Sequence, residues 1–576
     1  MVQLLRFITA CLLLPVIHLG SAQSTTSPTP TTSGANAGDF VRAENGRFML
    51  GNRPFQYIGT SAYWLQLLDN DDDMNKTLTD IASRGIKVVR TWAFNDVTEI
   101  PSDGVWIRVF HNNGTIEINT GENGILRLDR IVRVAKQVGI HVLFSLTNNW
   151  FPKVNNGTAF GVPVHRRDNS LPLDGTNLPR NYLSNDFGGM DTYVRHFHPE
   201  TNSADLVHDV FYSSQAIRDS FHDYVKTIVK RYKDEPSVIG WEAANDPRCN
   251  STLPASGVCN PQTVTTWTSD VSTVIKDNDP NHLVATGDSG YYCVDCTKVY
   301  PYVPPPPAPS MRRRSAHREG PLTRAKLLAR DEDWKRRNLP PPAKKRERST
   351  LGRMIRARWS APTESRRKRQ SNEFGSLFDG SFGVDTEDLA NIPTVDFSSF
   401  QYFPDQNSYG TVSTSSATSF DQVVQSGIDW IEQHAATANT YGKPATLNSF
   451  GIVSNVTSNS YAPFNSSSVV QESGVGTSQS QQVSAYNTWI NTAIDSGVQG
   501  IIHYQWGVTN IASSSSPALT HQSGVGDSST STTTFASPND GYATYDDAIK
   551  STLEAGAARV DIKNAGGVAK RTLLDL

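Results

Sequence analysis

"VIGWEAANDPRC", residues 238–249, begins as an unbroken apolar run and ends on Asn-Asp-Pro, with two carboxylates, Glu242 and Asp246, four positions apart. A run of this kind, closed by a turn signal, reads as a buried parallel strand whose C-terminal end carries polar groups. Strand alternation puts Glu242, Ala244 and Asp246 on one face, so Glu242 is expected deep in the sheet and Asp246 at its open rim. A buried Glu242 needs a partner, and an Arg such as Arg90 would serve, which makes Glu242 framework rather than catalyst.

Seven further stretches have the same character: "FQYIGTSAYW", "KVVRTWAF", "HVLFSLTNN", "HLVATGDSG", "VDFSSFQYF", "ATLNSFG" and "GIIHYQWG". Amphipathic helical patterns fall between most of them, among them "MNKTLTDIASRG", "RLDRIVRVAKQVG", "SQAIRDSFHDYVKTIVKRY" and "FDQVVQSGIDWIEQHAAT". Strands alternating with helices predict crossover units, and eight such units predict an α/β fold of the (β/α)8 TIM-barrel class, built as one catalytic-type domain. Function in such a barrel sits where strands end, which singles out Arg90, Asn149, Trp150, Asn245, Asp246, Gln401, Ser449 and Trp506. Amides, Arg, acids and indoles around a concave mouth are the chemistry of a sugar site, with amides for hydroxyls and indole faces for pyranose faces.

Around this domain the chain of 576 residues divides by composition. Residues 1–22 carry Arg6, an apolar run and Gly20-Ser21-Ala22, the pattern of a secretory signal peptide, and 23–38 form a Ser/Thr/Pro-rich linker. The barrel is expected over 39–302 and 372–560, with a C-terminal tail at 561–576. No later stretch approaches the roughly 20 apolar residues that span a bilayer, so the mature protein is expected to be secreted, extracellular and without a membrane partner. Cys249, Cys259, Cys293 and Cys296 then read as two local disulfides, Cys249 with Cys259 and Cys293 with Cys296. Asn75, Asn113, Asn156, Asn250, Asn455 and Asn465 head N-glycosylation tripeptides.

Residues 303–371, after the fifth strand, break the rhythm as a Pro/Arg-rich insertion expected to be disordered. Between Arg312 and Arg369 stand 21 Lys/Arg against 6 Asp/Glu, which leaves the remainder of a chain of net charge −3 near −18. The insert reads as a polyanion-binding arm, as a site for a kexin-like protease at "RRKRQ", as an unstructured loop, or as an intron retained in the gene model. Trp334 and Trp359 are its only aromatics, and an exported protein rarely meets nucleic acid, so no nucleic-acid partner is expected. The 13 His form no HExxH or His-x-His pattern, so no metal and no cofactor are expected.

Each candidate also has a bland alternative. Arg90 could merely neutralise barrel acids, Trp92 and Trp150 could be core packing, and Asp71-Asp72-Asp73 reads as a solvated loop rather than a cation site. The Ser/Thr/Gly stretches near 465–482 and 512–537 read as long loops beside the cleft.

The stretches "FVRAENGRFMLGNRPFQYIGTSAYWL", "VVRTWAFND", "LTNNW" resumed at "DFGGMDTYV", "VIGWEAANDPRC", "GKPATLNSFG" and "QWG" followed by "SPNDGYATY" resemble, in order, those of a secreted fungal endo-β-1,4-mannanase of glycoside hydrolase family 5. The resemblance implies a retaining hydrolase with two carboxylates roughly 5 Å apart, and a monomer is expected. It puts the acid/base Glu at Asp246 and the nucleophile Glu at Ser449. It puts a His and a nucleophile-supporting Tyr at Gln401 and Phe403, while Arg90, Asn149, Asn245 and Trp506 match the family.

Asp for Glu withdraws the carboxyl by about 1.5 Å where a 1 Å error can cost about a hundredfold. A Ser hydroxyl without a neighbouring base supplies neither nucleophile nor negative charge for an oxocarbenium-like transition state. The expectation is a protein that binds β-mannan or a related β-linked polysaccharide with hydrolysis absent or strongly impaired, a pseudoenzyme. The alternatives are an active endo-mannanase using Asp246 and an acid not yet identified, and a scaffold acting through the basic insert.

Overall fold

A computed structural model of the protein describes residues 39–151, 180–199, 201–202, 205–304, 320–330, 375–407, 409, 419–464, 476–512, 517–519 and 534–572. The signal and linker expected over 1–38, the glycosylation tripeptides at Asn156 and Asn465, and most of the basic insert lie outside them.

All eight predicted strands are present: β1 (Tyr57–Ser61), β2 (Val88–Trp92), β3 (His141–Ser145), β4 (Val238–Glu242), β5 (Leu283–Ala285), β6 (Ser398–Tyr402), β7 (Ala445–Phe450) and β8 (Gly500–Tyr504). They pair in parallel in the order β5-β4-β3-β2-β1-β8-β7-β6. A bridge from Ala285, at the end of β5, to Phe397, before β6, closes the ring. Every strand residue except His141 is buried or nearly so, because one face lines the barrel interior and the other lies under helices.

The barrel floor is apolar and is plugged from below. An antiparallel hairpin, Val41–Glu44 with Arg47–Leu50, inserts Phe48 against Tyr57 and Phe397 at ring separations of 5.9 and 5.3 Å, beside Val88, Leu143, Ile239, Leu283 and Ile502. With the bottom sealed, polar chemistry is left to the opposite end.

The outer layer comprises α1 (Asp71–Ser83), α2 (Ile125–Val138), α3 (Gln215–Tyr232), α4 (Pro261–Asn278), α5 (Phe420–Tyr441), α6 (Gln479–Ser496) and α7 (Asp547–Thr572). The chain marks several of their starts. Ser419 with Gln422, and Ser478 with Gln481, form reciprocal capping boxes that satisfy otherwise orphaned amides of α5 and α6.

Four expectations need correction. Asp71, Asp72 and Asp73 are not a loop but the first turn of α1, where the Asn70 side chain accepts from Asp73 N at 2.8 Å and the acids meet the positive end of the helix. The tail expected from 561 is the second half of α7, held where Asn564 bonds the Gln56 backbone at 3.2 and 2.9 Å. The loop expected to 482 gives way to α6 from Gln479, because Ser478 caps it. Within the insert, residues 320–330 are folded: Leu322 and Leu327 are buried, Leu322 N donates to Glu387 Oε1 at 2.6 Å, and Arg330 bonds Asp429 O at 3.1 Å on α5. Two buried leucines and the Arg330 contact with α5 seat this short basic segment. The two disulfides pair as expected, Cys249–Cys259 and Cys293–Cys296. Among the described residues no helix is long and apolar enough to cross a membrane.

Candidate functional site

Arg90, from β2, lies in the barrel interior with its guanidinium on Glu242 of β4, Nε at 3.0 and 2.9 Å from the two carboxylate oxygens and Nη2 at 2.8 Å. Ser145 of β3 also donates to Glu242, which is fully buried. A carboxylate saturated in this way is framework, as the sequence suggested. Arg90 Nη2 reaches on to Asn245 Oδ1 at 2.9 Å, Asn245 Nδ2 donates to Asn148 Oδ1 at 2.8 Å, and Gln401 Nε2 approaches Asn245 Oδ1 at 3.3 Å. Arg90, Asn245 and Gln401 are thereby one network across β2, β4 and β6. Asn149 is fully buried beside it, with its amide spanning Arg248 N at 3.0 Å and Asn250 O at 3.1 Å.

Asp246 is not at an open rim. Its φ of +54° breaks the alternation on which that expectation rested, and it is 1% exposed. The turn after β5 lies against it. Gly287, at φ +77°, has no room for a Cβ, which would fall 1.9 Å from Ala244 O, and Asp246 N donates to Gly287 O at 2.8 Å. The Asp246 carboxylate receives Trp150 Nε1 at 2.8 Å, Arg248 Nε at 2.9 Å and Nη2 at 2.8 Å, and the Ser289 hydroxyl. Burial opposes the Arg248 charge, yet the facing Asp246 carboxylate holds its pKa above the ordinary arginine value. The guanidinium is wedged among Trp150, Tyr291 and Phe382 at 5.0, 4.7 and 5.0 Å from their ring centres. An acid ringed by donors is arranged to accept hydrogen bonds, the reverse of protonating a leaving group.

On the opposite wall, Ser449 pairs in register with Gln401 and is 2% exposed. Its hydroxyl, and both polar atoms of the fully buried Asn448 amide, have no hydrogen-bond partner among the described residues. The end of β7 therefore presents neutral, unsatisfied groups and no carboxylate. Phe403 packs edge-on against Phe464, Tyr504 and Tyr542 at 5.0, 5.5 and 5.4 Å, an apolar contact that offers Ser449 nothing polar.

The indoles do not stand as expected. Trp506 has Lys550 of α7 over its ring at 4.5 Å, and Lys550 reaches Asp80 of α1 at 3.1 Å, so that indole belongs to the helix layer. The β8 aromatic on the interior face is Tyr504, two residues after Ile502 of the floor cluster, with Tyr63 stacked at 6.3 Å and its hydroxyl on Asp540. Trp92 has Arg90 over its face at 5.0 Å and donates to Ser184 O at 3.0 Å, and Trp150 lies under Arg248. Burial pushes the pKa of Asp540 up to about 6, and of Asp405, which accepts Val453 N at 2.9 Å, likewise up to about 6.

Residues 180–186, the end of the stretch that separates "LTNNW" from "GGMDTYV", lie across this mouth. Tyr63 Oη donates to Tyr182 O at 2.8 Å, Asn95 Nδ2 to Asn181 Oδ1 at 3.2 Å, and Asn185 Nδ2 to Phe464 O at 2.7 Å, tying the loop after β3 to loops after β1, β2 and β7. Of the ten predicted site residues, only Asn245 is more than marginally exposed.

Arg248, Ser289, Asn448, Tyr504 and Asp540 were not predicted. Arg248 stands inside "VIGWEAANDPRC" and is spaced to fold back on Asp246, a signal that was legible. The other four depend on which strand ends converge.

The family model described as GH family 5 beta-mannosidase-like matches residues 38–302. The chain is 33% identical over 282 residues to mannan endo-1,4-beta-mannosidase F of Aspergillus fumigatus, covering 48% of this chain and 53% of that protein. It is 30% identical over 293 residues to mannan endo-1,4-beta-mannosidase A of Aspergillus aculeatus, covering 50% and 64%. The chain thus spans about half the length of curated relatives of this kind that it matches. In fold, it superposes on the endo-1,4-beta-mannanase from Rhizomucor miehei with a TM-score of 0.54 at 22% identity, over 90% of this chain and 99% of that one.

Proposed function

We propose, from a barrel whose residues 38–302 match glycoside hydrolase family 5 of the β-mannosidase-like kind, that the protein binds β-mannan or a related β-linked wall polysaccharide with hydrolysis absent or strongly reduced. One observation carries this reading: where either glycosidase mechanism needs a second carboxylate, the end of β7 supplies the Ser449 hydroxyl and the Asn448 amide, buried and unpartnered among the described residues. Such groups suit the hydroxyls of a sugar ring and cannot form a glycosyl intermediate. The Arg248 clamp on Asp246 removes the other half of the pair from acid chemistry. Because all of the site residues but Asn245 are buried, a polymer reaches them only if the barrel mouth opens.

A second reading, an active endo-β-1,4-mannanase, has one observation in its favour: Asp540, buried in the loop after β8, and Asp405, half-buried in the loop after β6, are carboxyls with pKa values pushed up to about 6, the range of a working acid. The two readings separate in one experiment. Purified protein is incubated with galactomannan and glucomannan, reducing ends are followed, and the same polymers are cast into an affinity gel. Retarded migration without turnover supports binding alone. Robust turnover that survives Ser449→Ala and is abolished by Asp246→Ala overturns it.

On this reading residues 1–22 are an export signal and the mature protein is a secreted, N-glycosylated monomer.

A further inference from the structure

The Asn-x-Ser/Thr tripeptides at Asn75, Asn113, Asn250 and Asn455 lie within the described residues, and the fold presents them in two ways. Asn113 and Asn455 are exposed, whereas Asn75 and Asn250 are half-buried.

Asn113 stands at the tip of an antiparallel hairpin in which Arg108–Phe110 pairs with Ile116–Ile118. Residues 112–115 are all exposed, and the tip closes on itself: His111 N donates to Thr115 O at 2.9 Å and Gly114 N to His111 O at 3.0 Å. Within that tip Asn113 Oδ1 accepts from Thr115 N at 3.0 Å and from the Thr115 hydroxyl at 2.7 Å. The hydroxyl of the third residue is thus held on the amide of the first, as Asn side chains in turns favour. Asn455 lies on the loop that leaves the C-terminal end of β7. Its N donates to Thr477 O at 2.8 Å and its O accepts from the Ser458 hydroxyl at 3.1 Å, so the backbone is fixed while the side chain stays in solvent beside Val456, which is 77% exposed. Both positions can carry a bulky polar group without repacking.

The other two cannot do so as freely. Asn75 is inside α1, and Thr77 is fully buried. Side chains two apart on a helix do not face each other, so this amide and this hydroxyl diverge. Asn250 follows a disulfide-bonded cysteine, and its O accepts from Asn149 Nδ2 at 3.1 Å. The Ser251 and Thr252 hydroxyls are spent on Asn149 O and Phe151 O, which draws the whole tripeptide onto the end of β3.

We propose that Asn113 and Asn455 carry N-linked glycans and that Asn75 and Asn250 do not. The assignment rests on the export reading given above and is independent of whether the barrel mouth binds sugar. The donor is a polyprenyl-diphosphate oligosaccharide of the secretory route. Its C1–O bond to the diphosphate breaks, a C1–N bond to the Asn Nδ2 forms, the amide loses one proton to solvent, and polyprenyl diphosphate leaves. Transfer accompanies folding, so the native fold selects which modified chains reach the medium.

Expression in yeast tests the assignment, once with the chain's own residues 1–22 and once with those residues exchanged for an established yeast export signal. Secreted protein is treated with peptide N-glycosidase in heavy-oxygen water, which turns each glycosylated Asn into labelled Asp, and the peptides are read by mass spectrometry. Near-complete label is expected at Asn113 and Asn455, with little at Asn75 and Asn250. Thr115→Val should abolish the label at Asn113 and leave that at Asn455 unchanged. Secreted protein without label at Asn113 or Asn455, or with label at Asn75 or Asn250 equal to that at Asn113, overturns the proposal. Secretion only with the exchanged signal counts against the export reading alone, because the exchanged chain still reports all four positions.

Discussion

Replacing Arg248 by Leu tests whether Asp246 is clamped. The pair is buried on both sides, with side-chain exposures of 6% and 2%, and Arg248 supplies two of the donors to the carboxylate. Trp150 and Ser289 remain after the change, but neither carries charge. Removing one partner of such a pair strands the other and costs about 3–5 kcal/mol. At about 2.1 cal/mol/K per residue over the roughly 405 described residues, the unfolding entropy is near 0.85 kcal/mol/K, so Tm should fall by about 4–6 °C. Asp246→Asn alone strands Arg248 and should cost a similar amount. The double variant, in which no charge is left unpaired, should be less destabilised than the sum by about 2–3 kcal/mol. Calorimetry and urea unfolding of the four proteins measure this coupling. Additivity within about 0.5 kcal/mol would mean that the two side chains do not depend on each other, and would return Asp246 to the role of a free acid.

Asp540→Asn should show a pH-dependent effect. Burial raises the Asp540 pKa from 3.8 to about 6, so ionising it opposes the fold: its contribution is most favourable below pH 4 and is lost as pH rises to about 6. Relative to wild type, the Asn variant should gain up to about 2–3 kcal/mol of stability between pH 4 and 6 and then level off, and a pH-independent difference in Tm would contradict the assignment. Trp506→Ala should cost about 3–5 kcal/mol of stability through the void left under Lys550, while retention on a mannan affinity gel is unchanged; lost retention with an intact fold would restore Trp506 as a platform. Leu327→Asp should release the 320–330 segment, so that trypsin cuts at Arg324, Lys326 or Arg330 well before the barrel is digested, with the barrel Tm within about 2 °C of wild type.

The strands were legible because a parallel barrel buries both faces of each one, so all eight appear as apolar runs whatever their neighbours do. Arg90 with Glu242 was legible for a related reason: a buried charge demands a partner, and few cations stand near a strand end. Two side-chain directions were not. Asp246 was placed by counting alternate residues along an extended chain, and a single left-handed residue there ends the count. Trp506 lies past the last residue of β8, where alternation no longer applies, and its ring is claimed by Lys550 from a helix more than 40 positions away. The folded part of the insert was hidden by composition, since two leucines among many cations leave no periodic signal.

On the reading proposed above, the two strand ends that would carry the carboxylate pair differ physically. On β7 the groups are uncommitted: the Ser449 hydroxyl and both polar atoms of the adjacent Asn448 amide have no hydrogen-bond partner among the described residues, so this wall retains the ability to bond a ligand. On β4 the acid is held: Asp246 pairs with a cation two residues along its own chain, and their ion pair joins the ends of β3, β4 and β5 through Trp150 and Ser289. Restoring a Glu at 449 alone would supply one carboxylate opposite an acid still held by Arg248. Lengthening Asp246 to Glu would push about 1.5 Å of extra chain into donors already at 2.8–2.9 Å. On the proposed reading, a working pair would require Arg248 to release Asp246 as well as a carboxylate at 449.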